Sequence, residues 1–226
     1  IWVATARGLN RYNGYEYLHL LRDETNPQNA IPSNRINRIA VNRENNLWIG
    51  TSRGLSLYNQ ADDSVTTYPI EGQDTEYYVT DFTQDGEGNL WVATFRHGLL
   101  NLRPGDTRLA PLEHPFGENT PQTALALLSD GDKNLWIGYS NSSALAKFNT
   151  DNHTSEIFPL PDYIEINCLA KPGKSEIWIG TDQGILAYDI SARKLVPLPE
   201  PLRERARLSE AKIHSISLTN NGKYII

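Results

Sequence analysis

The chain has 226 residues and a net charge of −6, with Lys and Arg scattered singly, which excludes a phosphate-tracking basic face and with it nucleic acid as a direct partner. No apolar run approaches the ~18 residues of a membrane span, so membrane attachment is expected only through segments outside this chain. A lone cysteine, Cys168, excludes an internal disulfide framework, and the length suits one core, expected as a single domain segment over residues 1–226.

A tryptophan in a short apolar run, followed by Thr-x-x-Gly-Leu or a variant of it, returns along the chain at Trp2, Trp48, Trp91, Trp136 and Trp178, in steps of 46, 43, 45 and 42 residues. A period of that size marks stacked units, none of which buries its apolar face alone. The second copy shows the unit most clearly: Ile36 to Val41, a polar turn at Asn42 to Asn46, Leu47 to Thr51, a turn at Ser52 and Arg53, Gly54 to Tyr58, a third turn, and Val65 to Tyr68. Four short runs rich in Ile, Val, Leu, Trp, Tyr and Thr predict four strands per unit, and none reaches the length of an ordinary helix.

Side chains alternate along a strand, so Trp48 and Gly50 share one face while Leu47 and Ile49 share the other. The same small residue follows each tryptophan by two positions, at Ala4, Ala93, Gly138 and Gly180, leaving room for a neighbouring sheet to approach the indole closely. Both faces are apolar, which predicts radial stacking of blades rather than one sheet with a wet face. Gly8, Gly54, Gly98 and Gly184 fit a turn position with positive φ. The fourth copy departs, with Tyr139-Ser140-Asn141-Ser142-Ser143-Ala144 in place of the short turn.

Two connections are long: Arg103 to Gln122, rich in proline, and Pro197 to Lys212, where a helical turn is expected near Pro201 and where Arg203 to Arg207 are strongly charged. Asp130-Gly131-Asp132-Lys133-Asn134 echoes the opening of a calcium loop but lacks the distal glutamate, so a plain hairpin turn is expected and no metal site is assigned. Ile213 to Leu218 and Gly222 to Ile226 repeat the opening of a unit, with Tyr224 expected where tryptophan stands in the other copies. The expected fold is thus all-β, a β-propeller of about five four-stranded blades that forms an incomplete part of a seven-bladed propeller, with a self-contained five-bladed ring as the alternative. Open blade faces would favour a homo-oligomer.

The run from Asn46 to Asn59 resembles the two-component regulator propeller repeat, as do Asn89 to Leu102, Asn134 to Asn149 and Glu176 to Asp189. The resemblance implies the extracytoplasmic sensor region of a bacterial membrane receptor, periplasmic or extracellular, whose parent carries a histidine kinase or diguanylate cyclase module absent from this chain. It implies a ligand-sensing role in signal transduction and no cofactor. A propeller acting as a protein interaction platform without a small ligand is the alternative, and a lyase or hydrolase of propeller type a further one.

Propeller ligands gather at the rim where the turns between second and third strands meet the connections between blades. Those turns supply Arg7, Arg53, Arg96, His97, Asn141, Asp182 and Gln183, and the connections supply Arg35, Tyr77, Tyr78, Glu165 and Lys212. Arginine and aromatic side chains suit a small molecule or glycan, in particular a carboxylated or sulfated sugar, through stacking and bidentate hydrogen bonds. No catalytic residues are assigned: the five histidines are scattered and neither His-Glu-x-x-His nor Gly-x-Ser-x-Gly occurs.

Overall fold

In the computed structural model the described residues are all except 74, 114, 118–119, 132, 141–143, 161–163, 204–210, 219–223 and 226. They form antiparallel sheets of the propeller-blade type. The first holds β1 (Trp2–Thr5), β2 (Gly8–Tyr12) and β3 (Tyr17–Leu20), and a 3-10 turn at Pro27–Asn29 follows. The second runs β4 (Ile36–Val41), β5 (Leu47–Thr51), β6 (Gly54–Tyr58) and β7 (Val65–Tyr68). The third runs β8 (Tyr78–Gln84), β9 (Leu90–Phe95), β10 (Leu99–Leu102) and β11 (Ala110–Pro111). The fourth runs β12 (Ala124–Ser129), β13 (Asn134–Tyr139), β14 (Ala144–Asn149) and β15 (Ser155–Pro159). The fifth runs β16 (Ile166–Ala170), β17 (Glu176–Thr181), β18 (Gly184–Asp189) and β19 (Lys194–Val196), after which come a short helix α1 (Glu200–Arg203) and the pair β20 (Ser217–Leu218) and β21 (Tyr224–Ile225).

The chain divides into two compact units, one of residues 1–82 and 88–112, the other of residues 83–87 and 113–226. In the first unit the two faces of β5 part as the alternation requires. Leu47 and Ile49 join Leu9 and Ile31, whereas Trp48 joins Val79, Phe82 and Leu90 of the third sheet. Gly50 lies where a Cβ would come within 2.7 Å of Val79 Cγ1, so only glycine admits β8 this close. In the second unit Trp136 packs with Ile166, Leu169 and Ile179, and Gly138 allows Ile166 to within 2.5 Å of where a Cβ would sit. Trp178 packs with Ile213, Ile216 and Leu202, and Gly180 faces Ile213 in the same way.

The hairpins close as their residues demand. Thr5, Thr51, Thr94 and Thr181 each donate a hydroxyl to the carbonyl of the glycine that follows in the turn, at 2.8–2.9 Å, and those glycines all have positive φ. Cys168, in β16, is buried and packed over Gly180.

Two features differ from the sequence expectation. The connection after Arg103 contains β11, a fourth strand of only two residues, too short and proline-containing to show an alternating pattern. Leu218 pairs with Tyr224 as Val41 pairs with Leu47, so Ile225 rather than Tyr224 stands at the tryptophan position. Of the turn at 130–134, Asp132 lies outside the described residues. The carboxylate of Asp130 accepts hydrogen bonds from Lys171 Nζ (3.2 Å), Trp136 Nε1 (3.2 Å) and the Asn134 backbone, so this oxygen set is already occupied by protein donors.

Candidate functional site

Register places the candidate residues. In β4 the pairing with β5 skips from Ile36 to Arg38, so Asn37 is a bulge, and the same slip recurs at Leu125 in β12 and Asn167 in β16. A bulge bends the strand and re-aims its neighbours. Arg35, just before this bulge, has its guanidinium 5.6 Å from the centre of the Tyr78 ring, which opens β8. Tyr78 meets Phe95 edge-on with ring centres 6.2 Å apart, and Arg96 lies 5.1 Å over Phe95. The result is a row, Arg35, Tyr78, Phe95, Arg96, in which two adjoining rings are flanked by two guanidiniums.

Phe95 is 44% exposed despite ending a strand whose other residues are buried, so the row offers an aromatic face to solvent. Arg96 adopts a left-handed φ of 76°, which carries its backbone around the turn while Thr94 Oγ1 accepts from the His97 N–H. His97 keeps its Nδ1 buried with no hydrogen-bond partner. Behind the row, Arg38 pairs with the buried carboxylate of Asp81 at 3.0 Å, tying neighbouring inner strands.

Beside the row, Arg53 forms an ion pair with Glu76 at 3.1 Å. Tyr77 is buried: its hydroxyl donates to the Tyr68 carbonyl and accepts from the Leu55 N–H at 3.0 Å, and burial pushes its phenol pKa up, so this side chain braces the seam. A cleft of about 470 Å³ opens in the same unit, lined by Arg22, Asp23, Pro27, Ile31, Pro32 and Glu76 among others. No repeat motif marks it, because its wall is the one-off connection after β3.

The remaining candidates do not enter this row. Arg7 is exposed, and its backbone N–H is donated to Thr5 Oγ1. In the second unit Asp182 accepts the Glu165 N–H at 3.2 Å and donates its own N–H back to the Glu165 carbonyl, while Gln183 is exposed with its N–H on Thr181 Oγ1. Asn141 and residues 204–207 lie outside the described residues. Sequence reasoning missed Phe95, since the extra residue in Thr94-Phe95-Arg96-His97-Gly98 is what brings an aromatic side chain to this turn.

Residues 30–53 and 74–96 match the model of the two component regulator propeller, and these two stretches contain every member of the row. The match covers these two stretches and less than half of the chain. It is similar to the extracellular domain of BT3049 from B. thetaiotaomicron, assigned as a hybrid two component system, at 23% identity and a TM-score of 0.81, covering 99% of this chain and 30% of that one. The extracellular domain of BT4673 from the same organism, assigned as a one component system, matches at 18% identity and a TM-score of 0.66, over 99% of this chain and 35% of that one. Virginiamycin B lyase from Staphylococcus aureus matches at 15% identity and a TM-score of 0.63, over 84% of this chain and 62% of that one, a likeness of fold alone. The chain thus spans about a third of the length of the two extracellular domains. No curated protein sequence matches it. Among the described residues no helix is long and apolar enough to cross a membrane, and no group of three or more His, Cys, Asp or Glu is placed to hold a metal ion.

Proposed function

We propose that this chain is a ligand-sensing propeller segment of a bacterial membrane signalling receptor, exposed on the extracytoplasmic side, and that the row Arg35, Tyr78, Phe95, Arg96 is where it receives a carboxylated or sulfated sugar. The observation that carries the reading is the order of the row itself. Two guanidiniums flank two aromatic rings within contact distance of one another. Rings stack on the apolar face of a sugar, and guanidiniums grip its acidic groups bidentately. The row spans the second and third sheets, so a ligand held there would bear on the seam between two blades, and the altered seam would be the signal passed to the segments that anchor the receptor.

Differential scanning fluorimetry of the intact chain with sulfated and uronic-acid disaccharides, against their neutral counterparts, tests this. A ligand at tenfold its Kd stabilises by about 1.4 kcal/mol, which raises Tm by a few degrees for a chain of this size. The acidic sugars are expected to raise Tm and the neutral ones not. Equal responses to both, no response to either, or an undiminished response in Arg35→Ala/Arg96→Ala would reject the reading.

A further inference from the structure

Tyr78 is gripped from three sides, and one grip comes from a residue that touches no exposed part of the row. Asn37 occupies the bulge of β4, and both ends of its amide cross to the third sheet: Nδ2 donates to the Val79 carbonyl at 2.8 Å, and Oδ1 accepts the Tyr78 hydroxyl at 3.3 Å. The bulge makes this possible, because the extra residue leaves the ladder and turns its side chain along the seam. Asn167 occupies the same bulge of β16, yet its Nδ2 is buried without a partner. The same register slip and the same side chain therefore yield a clamp in one unit and an unpartnered amide nitrogen in the other. For the Oδ1 end, what matters is the side chain that the next inner strand presents. Tyr78 stands immediately before Val79 and supplies both a ring and a hydroxyl.

We infer that Asn37 is a positioning residue for the candidate site: it fixes the Tyr78 ring under Arg35 and against Phe95 by locking the phenol to the inner strand. The inference deepens the proposed function and rests on it for the ligand, although the clamp itself is independent of any ligand. Without Asn37 the ring rotates free of Arg35 and the row is no longer pre-organised. Losing one such hydrogen bond from a pre-organised site weakens binding about five- to tenfold.

The experiment places 3-fluorotyrosine at position 78 of the intact chain and records its 19F resonance in the parent, Asn37→Ala and Asn167→Ala, with no ligand present. The resonance is expected to shift or broaden in Asn37→Ala and to stay unchanged in Asn167→Ala, which controls for loss of a bulge asparagine. An unmoved resonance in Asn37→Ala overturns the inference. Titration of unlabelled protein with a sulfated uronic-acid disaccharide is the second arm, in which Asn37→Ala, Tyr78→Phe and the double variant should show the same five- to tenfold loss. Additive losses also overturn the inference. If the parent fails to bind the probe while the resonance still responds to Asn37→Ala alone, the ligand reading falls and the positioning role stands.

Discussion

Thirteen residues before the tryptophan, the first unit has Arg35 and Tyr78 where the second has Thr123 and Glu165. Arg35 and Tyr78 reach sideways and stack, whereas Glu165 is engaged through its backbone with Asp182. The seams differ in the same spirit. Between the first and second sheets, Trp2 meets Tyr58 edge-on at 5.2 Å, Arg11 lies over Trp2 at 5.7 Å, and the Tyr58 hydroxyl donates to Asp63 and accepts from Arg11. Between the fourth and fifth, Phe158 meets Tyr188 edge-on at 5.9 Å and Arg193 lies over Phe158, while within the fourth sheet Phe158 meets Trp136 at 5.1 Å and Lys147 lies over Trp136, and Glu156 joins the two cations at 3.1 Å each. Tyr188, the counterpart of Tyr58 opposite the strand of its tryptophan, keeps its buried hydroxyl without a partner. The lesson is that the repeat fixes where rings and cations stand, while the choice of partner at each position decides whether that place is glue or an open surface.

The largest test of this comparison is the indole. Trp136 is 1% exposed and Trp2 only half-buried, so Trp136→Ala should cost about 3–5 kcal/mol in urea unfolding and Trp2→Ala roughly half of that. Equal losses would mean that the two seams do not differ. Next come the glycines beneath the neighbouring sheets. A methyl at Gly50 or Gly138 would meet Val79 or Ile166 inside van der Waals distance, and overpacking of this kind costs about 1–3 kcal/mol. Gly14, where nothing lies within 4 Å of a built Cβ, is the exposed control for added bulk, although its positive φ adds its own strain. Smaller again, Lys171→Ala leaves the buried Asp130 without its ammonium partner and should cost about 1–2 kcal/mol, partly offset because Trp136 and Asn134 still donate to that carboxylate.

The smallest effect is one of pH. Lys147 and then Arg193 hold the Glu156 carboxyl below its ordinary value of 4.5. The folded state therefore binds fewer protons there than the unfolded one. The stabilisation is present above the unfolded pKa and is lost as pH falls through the lower folded one. Because the group is half-exposed, solvent screens the effect, and only the acid edge of a stability profile should move. Glu156→Gln should flatten that edge, and an unchanged profile would remove Glu156 from the seam's account.

Much of this was legible in the sequence. The pairing of Trp48 with Gly50, the threonine-closed hairpins and the split of each strand into two apolar faces follow from side-chain alternation and turn chemistry, which are local rules. The site was legible only in part. Arg35, Tyr78 and Arg96 stand out as rim residues, yet their meeting through Phe95 depends on one inserted turn residue, and the burial of Tyr77 depends on a carbonyl at Tyr68 that no local pattern announces. The cleft walled by Arg22 and Asp23 arises from a connection that does not repeat, so periodicity is silent about it.

The most direct measurement is a backbone-amide NMR titration of the intact chain with a sulfated uronic-acid disaccharide at two ionic strengths. The account predicts shift changes confined to Arg35, Tyr78, Phe95, Arg96 and their neighbours, with affinity falling as salt rises because guanidinium contacts are screened. Perturbations centred on Glu165 and Asp182, or a salt-independent response, would contradict it.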